Sequence, residues 1–104
     1  MFALRVIKMS DALPRTRAAG VITNQVLRSA TSMAANYRAV GRARSKAEFV
    51  AKLGVVLEEA DETVFWLELL TDAGIVSTEK MRDLLGEANQ LMLSFSASRR
   101  TAKA

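Results

Sequence analysis

The chain has 104 residues, half of them hydrophobic, a formal net charge of +4, and neither cysteine nor histidine. Without cysteine it has no disulfide and no thiol nucleophile, and without either residue it has no cysteine- or histidine-ligated zinc site. It also lacks the histidine imidazole, the side chain that usually donates and accepts protons near neutral pH. One proline and five glycines in a chain of single-domain length favour long helices.

The first predicted element is a short helix over residues 2–11. Phe2, Val6 and Met9 lie on one stripe, and the helix ends before Pro14 because the residue preceding a proline is pushed out of the helical region. Charged side chains interrupt the apolar residues of this segment, so we do not expect a signal peptide. No stretch approaches the ~18 apolar residues of a membrane span, and a cytoplasmic location is expected.

A second helix is predicted over residues 16–40. Its apolar residues recur at alternating spacings of four and three, which is typical of a packed seam: Val26, Ala30, Met33, Tyr37 and Val40. Asn36 lies beside the seam. Since a buried amide needs hydrogen-bond partners and commonly fixes helix register, we assign Asn36 a structural role.

The third predicted helix begins after Ser45, its N-cap, with Glu48 as the capping-box partner, and it ends at Ala73 before Gly74. Its seam has the same spacing: Phe49, Leu53, Val56, Ala60, Thr63, Leu67 and Leu70. Gly54 lies in mid-helix, where glycine costs about 1 kcal/mol relative to alanine. We attribute it to close approach of the second helix at Ala34 or Ala35.

Ser77 caps the fourth predicted helix, whose seam is Met81, Leu84, Ala88, Leu91 and Phe95. Residues 99–104 are basic and are expected to be a frayed tail, so that residues 1–98 form the folded domain. Short loops between long helices predict an all-α, antiparallel up-down four-helix bundle.

The turn between the second and third helices sets their register. Antiparallel pairing around it brings together residues whose numbers add up to about 90. Arg28 then lies near Glu59 or Glu62, and we interpret this pair as a structural salt bridge.

The third helix has more apolar surface than one bundle interior can bury. The surplus is concentrated in four residues, which we predict to be an oligomer interface: Val64, Phe65, Trp66 and Leu69. The alternative is that Trp66 only closes one end of the bundle beneath the first helix. That helix is too short to cover the patch, so self-association is preferred.

Charge is segregated along the chain. Residues 12–47 contain seven basic side chains and no carboxylate, whereas residues 48–87 contain ten acids against three bases. Five cations near one hairpin end form the predicted nucleic-acid-binding set: Arg38, Arg42, Arg44, Lys46 and Lys52. The alternative is that they pair with acids of the third helix in a neighbouring subunit.

The acids of the third helix do not indicate a catalytic or metal site. Glu58, Glu59, Asp61 and Glu62 lie close in sequence, but di-metal sites in bundles use Glu-x-x-His motifs, and histidine is absent. No nucleophile accompanies them. We therefore expect no metal, no cofactor and no enzymatic activity.

A longer motif string runs from Arg28 to Leu70. It includes Arg28-Ser29-Ala30-Thr31-Ser32-Met33-Ala34-Ala35-Asn36-Tyr37-Arg38, then Lys52-Leu53-Gly54 and Phe65-Trp66-Leu67-Glu68-Leu69-Leu70. These residues resemble the bacterial proteins encoded in intervening sequences of 23S ribosomal RNA genes. The resemblance covers residues 2–95 and implies a four-helix bundle assembling as a ring, commonly a homopentamer. It also implies similarity in fold to the accessory protein of diversity-generating retroelements, which binds nucleic acid and a reverse transcriptase.

Two functions follow from these patterns as hypotheses. The first is a non-enzymatic homo-oligomeric bundle that binds RNA or DNA backbone through its repeated basic cluster. The second is an assembly or adaptor protein that binds another protein, such as a reverse transcriptase, while its charges serve subunit pairing.

Overall fold

The computed structural model describes residues 1–104 and contains four helices and no strand. They are α1 (Phe2–Asp11), α2 (Arg17–Val40), α3 (Lys46–Asp72) and α4 (Thr78–Lys103). Each helix packs against two others, in the cyclic order α1, α2, α3, α4, and the Cα atoms of diagonal helices stay more than 8 Å apart. The predicted all-α four-helix architecture is confirmed.

Three of the four helices begin where a polar side chain caps them. Thr16, Ser45 and Ser77 each accept a hydrogen bond from the backbone N–H three residues later, at 3.1–3.2 Å. The predicted caps of α3 and α4 are therefore confirmed. Only half of the expected capping box forms, because the Glu48 carboxylate lies 3.8 Å from the Lys52 ammonium and makes no bond back to Ser45.

The end of α3 requires a left-handed residue. Gly74 has φ +73°, the only positive φ in the chain, and the backbone N–H groups of the next two residues return to the Leu70 carbonyl. This arrangement satisfies carbonyls that the end of a helix leaves unpaired. It reverses the chain within a few residues, so that α4 lies antiparallel to α3.

The core is a single cluster of aliphatic and aromatic side chains that runs the length of the bundle. Predicted seam residues of all three long helices line it, among them Val26, Val56 and Leu67, which are fully buried. The only buried polar side chains are Ser29 and Thr63, whose hydroxyl oxygens lie 2.9 Å apart across the α2–α3 contact. No buried side-chain donor or acceptor lacks a partner.

The predicted α2–α3 register is also confirmed. Arg28 pairs with Glu62 and Glu59, and Ser29 meets Thr63. Equivalent pairing around the α3–α4 turn places Lys46 beside Ala104, with Lys46 Nζ donating to the Ala104 carbonyl at 3.2 Å. The end of α4 therefore lies against the beginning of α3.

The expected frayed tail differs from the structure, in which α4 continues through Lys103. The reason is local: residues 87–104 contain no glycine or proline, and Arg99 Nε donates to the Val50 carbonyl of α3 at 3.2 Å. Helix α1, by contrast, is short. Crossing a membrane would need a longer uncharged apolar stretch than any of the four helices offers.

Because α1 has 10 residues and α2 has 24, they span roughly 15 Å and roughly 36 Å. Beside Met1 and Phe2, an apolar furrow between α2 and α4 is lined by Met33, Tyr37, Leu91 and Phe95, and it continues over Phe49 and Leu53.

Candidate functional site

The basic residues singled out in the sequence gather at one end of the bundle. Arg38 is in the last turn of α2, Arg42 and Arg44 are in the α2–α3 turn, and Lys46 begins α3. Lys52 follows two turns into α3. The short α2–α3 connection brings these side chains to the same end of the bundle, where the first four are exposed and Lys52 is half-buried.

The structure adds three cations from α4 to the predicted five. Arg99, Arg100 and Lys103 lie in the last two turns of α4, next to the start of α3. We call the combined surface the basic end: Arg38, Arg42, Arg44, Lys46, Lys52, Arg99, Arg100 and Lys103. Three helices and one turn thus place their cations together, although they are distant in sequence.

Few acids neutralise the basic end. Lys52 is 3.8 Å from Glu48, and this is the only ion pair there. Arg38, Arg42 and Arg44 form no salt bridge at all. Cations that are exposed and unpaired leave a positive potential that attracts polyanions.

These α4 cations were missed because the sequence analysis assigned residues 99–104 to a frayed tail. The antiparallel pairing rule already applied to α2 and α3 would have placed these α4 cations beside α3. Applied around the Ala73–Ser77 turn, it pairs residues whose numbers add up to about 150, which places Arg99 beside Val50.

Arg28 lies in a different cluster, midway along the bundle. Its guanidinium pairs with the carboxylate of Glu62 and lies 3.4 Å from that of Glu59, and its Nε donates to Gln25 at 3.1 Å. The Trp66 indole N–H also donates to Glu62, at 3.2 Å. The predicted salt bridge thus joins α2 to α3, and Glu62 is its centre.

The Trp66 and Arg28 hydrogen bonds lower the pKa of Glu62, because both favour the charged carboxylate. The hydrogen bond to Glu62 in turn raises the pKa of Arg28. Arg28 is exposed, so this pair fixes helix register more than it stabilises the fold.

The predicted interface residues divide between core and surface. Val64 is only 6% exposed and belongs to the core, so it offers little surface to another subunit. Phe65 is 54% exposed, and its ring meets that of Trp66 edge-on with centroids 4.9 Å apart. Trp66 and Leu69 are half-buried. No Cα atom of α1 lies within 8 Å of one in α3, so the backbone of α1 does not pack closely over the helix that carries Trp66.

The two remaining structural residues make contacts other than those expected. Asn36 donates from Nδ2 to the backbone carbonyl and the hydroxyl of Ser32 at 2.8 and 3.1 Å, so its bonds remain within α2. A Cβ added at Gly54 would lie 3.2 Å from a guanidinium nitrogen of Arg99. The atoms nearest to such a Cβ belong to Arg99, so Gly54 accommodates a side chain of α4, where the sequence analysis expected Ala34 or Ala35 of α2.

The acids of α3 do not converge on a common point. No three acidic side chains anywhere in the chain lie close enough together to hold a metal ion. Glu59 and Glu62 face Arg28, while Glu58 and Asp61 are exposed beside Leu57. Two of these acids therefore form ion pairs with Arg28, and the other two contribute negative charge to the surface.

Comparison with known proteins gives one family and one informative structure. The family model described as "23S rRNA-intervening sequence protein" matches residues 1–96. A crystal structure from Bacteroides thetaiotaomicron VPI-5482, of a protein with unknown function from the S23 ribosomal protein family, is 32% identical. The match covers 94% of this chain and 91% of that one, with a TM-score of 0.86. No curated protein matches the chain.

Proposed function

The chain belongs to the family of 23S rRNA-intervening sequence proteins, and from this premise we propose that it is a non-enzymatic, homo-oligomeric bundle that binds nucleic-acid backbone through its basic end. The observation that carries this proposal is the convergence of cations from α2, α3 and α4 with a single acid partner among them. Such a surface is suited to phosphate groups, whose contacts give affinity without sequence preference.

Phosphate binding suits these side chains better than a buried ligand would. Arg38, Arg42 and Arg44 are exposed and have no competing carboxylate, so an incoming phosphate displaces only water and counterions. Release of counterions makes binding fall steeply with salt. The proposed ligand is therefore RNA or DNA without a defined sequence.

Binding to generic RNA and DNA oligonucleotides, followed by fluorescence anisotropy at low and moderate salt, tests this proposal. The double variant R42E/R44E should bind much more weakly and should reduce the salt slope by about 1.4, since each single-strand phosphate contact accounts for about 0.7.

The matched control is R15E/R17E, which changes charge equally in the same acid-free segment but at the opposite end of α2. It should retain most of the affinity, and circular dichroism should show both variants folded. Absence of binding even at low salt, or equal losses in the two variants, would contradict the proposed role of the basic end.

The same proposal includes self-association. Phe65 is more than half exposed on the outer face of α3, and a large exposed aromatic next to a half-buried tryptophan is typical of an interface. The family resemblance favours a ring of five subunits. A ring would repeat the basic end around one edge and multiply its contacts with a single polyanion.

The second candidate is an assembly or adaptor protein in which the cations pair with acids of the next subunit. Glu58 and Asp61 are exposed on α3 and have no salt-bridge partner within the chain, which favours this reading. It predicts that R42E/R44E dissociates the oligomer in light scattering. An unchanged mass together with lost RNA binding would instead assign these arginines to nucleic acid.

A further inference from the structure

The charged side chains are distributed unevenly along the bundle. The molecule is 45 Å long and 20 Å across, and its basic end carries eight cations against a single acid, Glu48. In the rest of the bundle, ten acids outnumber seven bases. A polyanion is therefore attracted to this end and, on balance, repelled by the remaining surface. The long axis of the bundle should point towards the bound phosphates.

The basic end is a blunt surface and does not form a groove. Of its eight cations, only Arg38 lines any of the five cavities in the structure. The other seven project from the α2–α3 turn, the first turns of α3 and the last turns of α4. Proteins that bind single strands usually guide the flexible backbone along a positively charged groove. This surface offers a single strand no such path.

The basic end also contains no aromatic side chain on which a base could stack. Phe49 is packed against the core of the bundle. The ring of Tyr37 lies against that of Phe95 in the apolar furrow, with centroids 5.1 Å apart. Neither ring belongs to the α2–α3 turn or to the end of α4. Since base stacking supplies much of the affinity of single-strand binders, a single strand would be held here by its phosphates alone.

A duplex brings more phosphate charge to a surface of this width. Double-stranded nucleic acid carries one charge per ~1.7 Å of its axis, and a single strand carries one per ~3.4 Å. Across 20 Å, a duplex therefore presents roughly twelve phosphates and a single strand roughly six. A duplex is also stiff over about 150 base pairs, so its phosphates are already in place before binding.

We infer that the basic end binds double-stranded nucleic acid in preference to single strands, with the bundle standing end-on against the phosphates of the duplex. The inference rests on the proposed function, since it concerns the same cations, and it adds the class of nucleic acid and the direction of approach. The shared chemistry is the phosphate backbone of an RNA or a DNA duplex.

The test compares fluorescein-labelled oligonucleotides with equal numbers of phosphates in fluorescence anisotropy with the full-length protein. The duplexes, one of RNA and one of DNA, have about 12 base pairs, which is roughly twice the length that spans the basic end at ~3.4 Å per pair. The single strands have about 24 nucleotides and cannot pair with themselves. At moderate salt, at least one duplex should bind about tenfold more tightly than the single strand of the same sugar.

The two duplexes distinguish the possible sources of the phosphates, because tighter binding of one identifies it as the better ligand. Single strands that bind as tightly as both duplexes would overturn this inference and leave the proposed function standing. Absence of binding to all four oligonucleotides, even at low salt, would overturn both.

The direction of approach is tested with two double variants of α4. Arg100→Glu/Lys103→Glu reverses two exposed cations of the basic end and should weaken duplex binding at least about tenfold. The matched control is Lys80→Glu/Arg82→Glu, which reverses two exposed cations in the first turns of the same helix and should retain most of the affinity. Circular dichroism should show both variants folded. Equal losses would show that affinity follows net charge and would overturn end-on binding.

Tyr37→Ser provides the test for base stacking. The variant should bind the duplexes within about twofold of the wild type, because the inferred contacts are made to phosphates. If Tyr37→Ser weakens duplex binding as much as Arg100→Glu/Lys103→Glu does, a base stacks on the tyrosine ring and the inference fails.

Discussion

Glu62 accepts hydrogen bonds from two helices, from Arg28 of α2 and from Trp66 one turn along its own helix. Both donors favour the carboxylate over the carboxylic acid, with the indole bond the largest influence, and they lower the pKa of Glu62. A group with a lowered pKa in the folded protein stabilises folding fully above its ordinary pKa. That stabilisation is lost as the pH falls through the lowered value.

Trp66 is the only tryptophan, so its fluorescence reports directly on this bond. We expect the emission to change in an acid titration with a midpoint below the ordinary pKa of a glutamate, as protonation of Glu62 weakens the indole bond. Glu62→Gln should abolish this transition, whereas Glu58→Gln, on an exposed side chain, should leave it in place. A midpoint at the ordinary glutamate pKa would contradict the arrangement.

At the scale of the helix, Gly54 shows how α3 and α4 fit together. Alanine there would gain about 1 kcal/mol of helix propensity. Its Cβ would press on the Arg99 guanidinium at 3.2 Å and disturb the bond from Arg99 to the Val50 carbonyl. Because a guanidinium at the end of a flexible side chain can move, we expect Gly54→Ala to raise the free energy of unfolding by about 0.5 kcal/mol.

Gly86 of α4 supplies the control, since nothing lies within 4 Å of a Cβ added there. Gly86→Ala should gain the full ~1 kcal/mol, and Gly54→Ala should gain as much once Arg99→Ala has removed the obstruction. Chemical denaturation of the wild type, the three single variants and the Gly54→Ala/Arg99→Ala double variant measures these free energies. If Gly54→Ala destabilises the protein in both backgrounds, Arg99 is not the neighbour that matters.

Local signals in the sequence predicted the helices and most of their ends, although not the end of α4. Ser45 and Ser77 cap as expected because a cap depends on a few adjacent residues, and Gly74 adopts the left-handed conformation that its position after α3 requires. The α2–α3 register also followed from one short turn. Caps, left-handed glycines and the register of one hairpin each depend on a few residues that are close in sequence, so the sequence alone predicts them.

The predicted seam of α3 faces the core, but the width of its buried face was not predictable in the same way. The helix is apolar on most of its surface, so the pattern did not show that Val64 faces the core or that Gly54 faces α4. Both depend on which neighbour packs on each side, and successive residues differ by about 100° around the axis. The sequence analysis predicted the cations of the basic end that lie on α2, α3 and the turn between them. It missed the three on α4, because their position depends on the α3–α4 register.

For the molecule as a whole, substitutions at Leu67 and Phe65 distinguish the stability of one subunit from the association of subunits. Leu67 is fully buried, so Leu67→Ala should cost about 2–5 kcal/mol of unfolding free energy. Phe65 is mostly exposed, and Phe65→Ala should change the stability of one subunit by no more than about 0.5 kcal/mol.

If Phe65 anchors the subunit interface, Phe65→Ala should still lower the oligomer mass in analytical ultracentrifugation at micromolar concentration. Val55→Ala, which removes another exposed apolar side chain of α3, is the control for loss of surface area alone. Equal effects of Phe65→Ala and Val55→Ala on mass would contradict a specific anchor at Phe65.

The brevity of α1 has a consequence for the dynamics of the chain. Helix α1 packs against α2 and α4, its backbone stays more than 8 Å from that of α3, and it is the shortest of the four helices. Local unfolding therefore costs least there, and amide hydrogen exchange in residues 2–11 should be fastest among the helices.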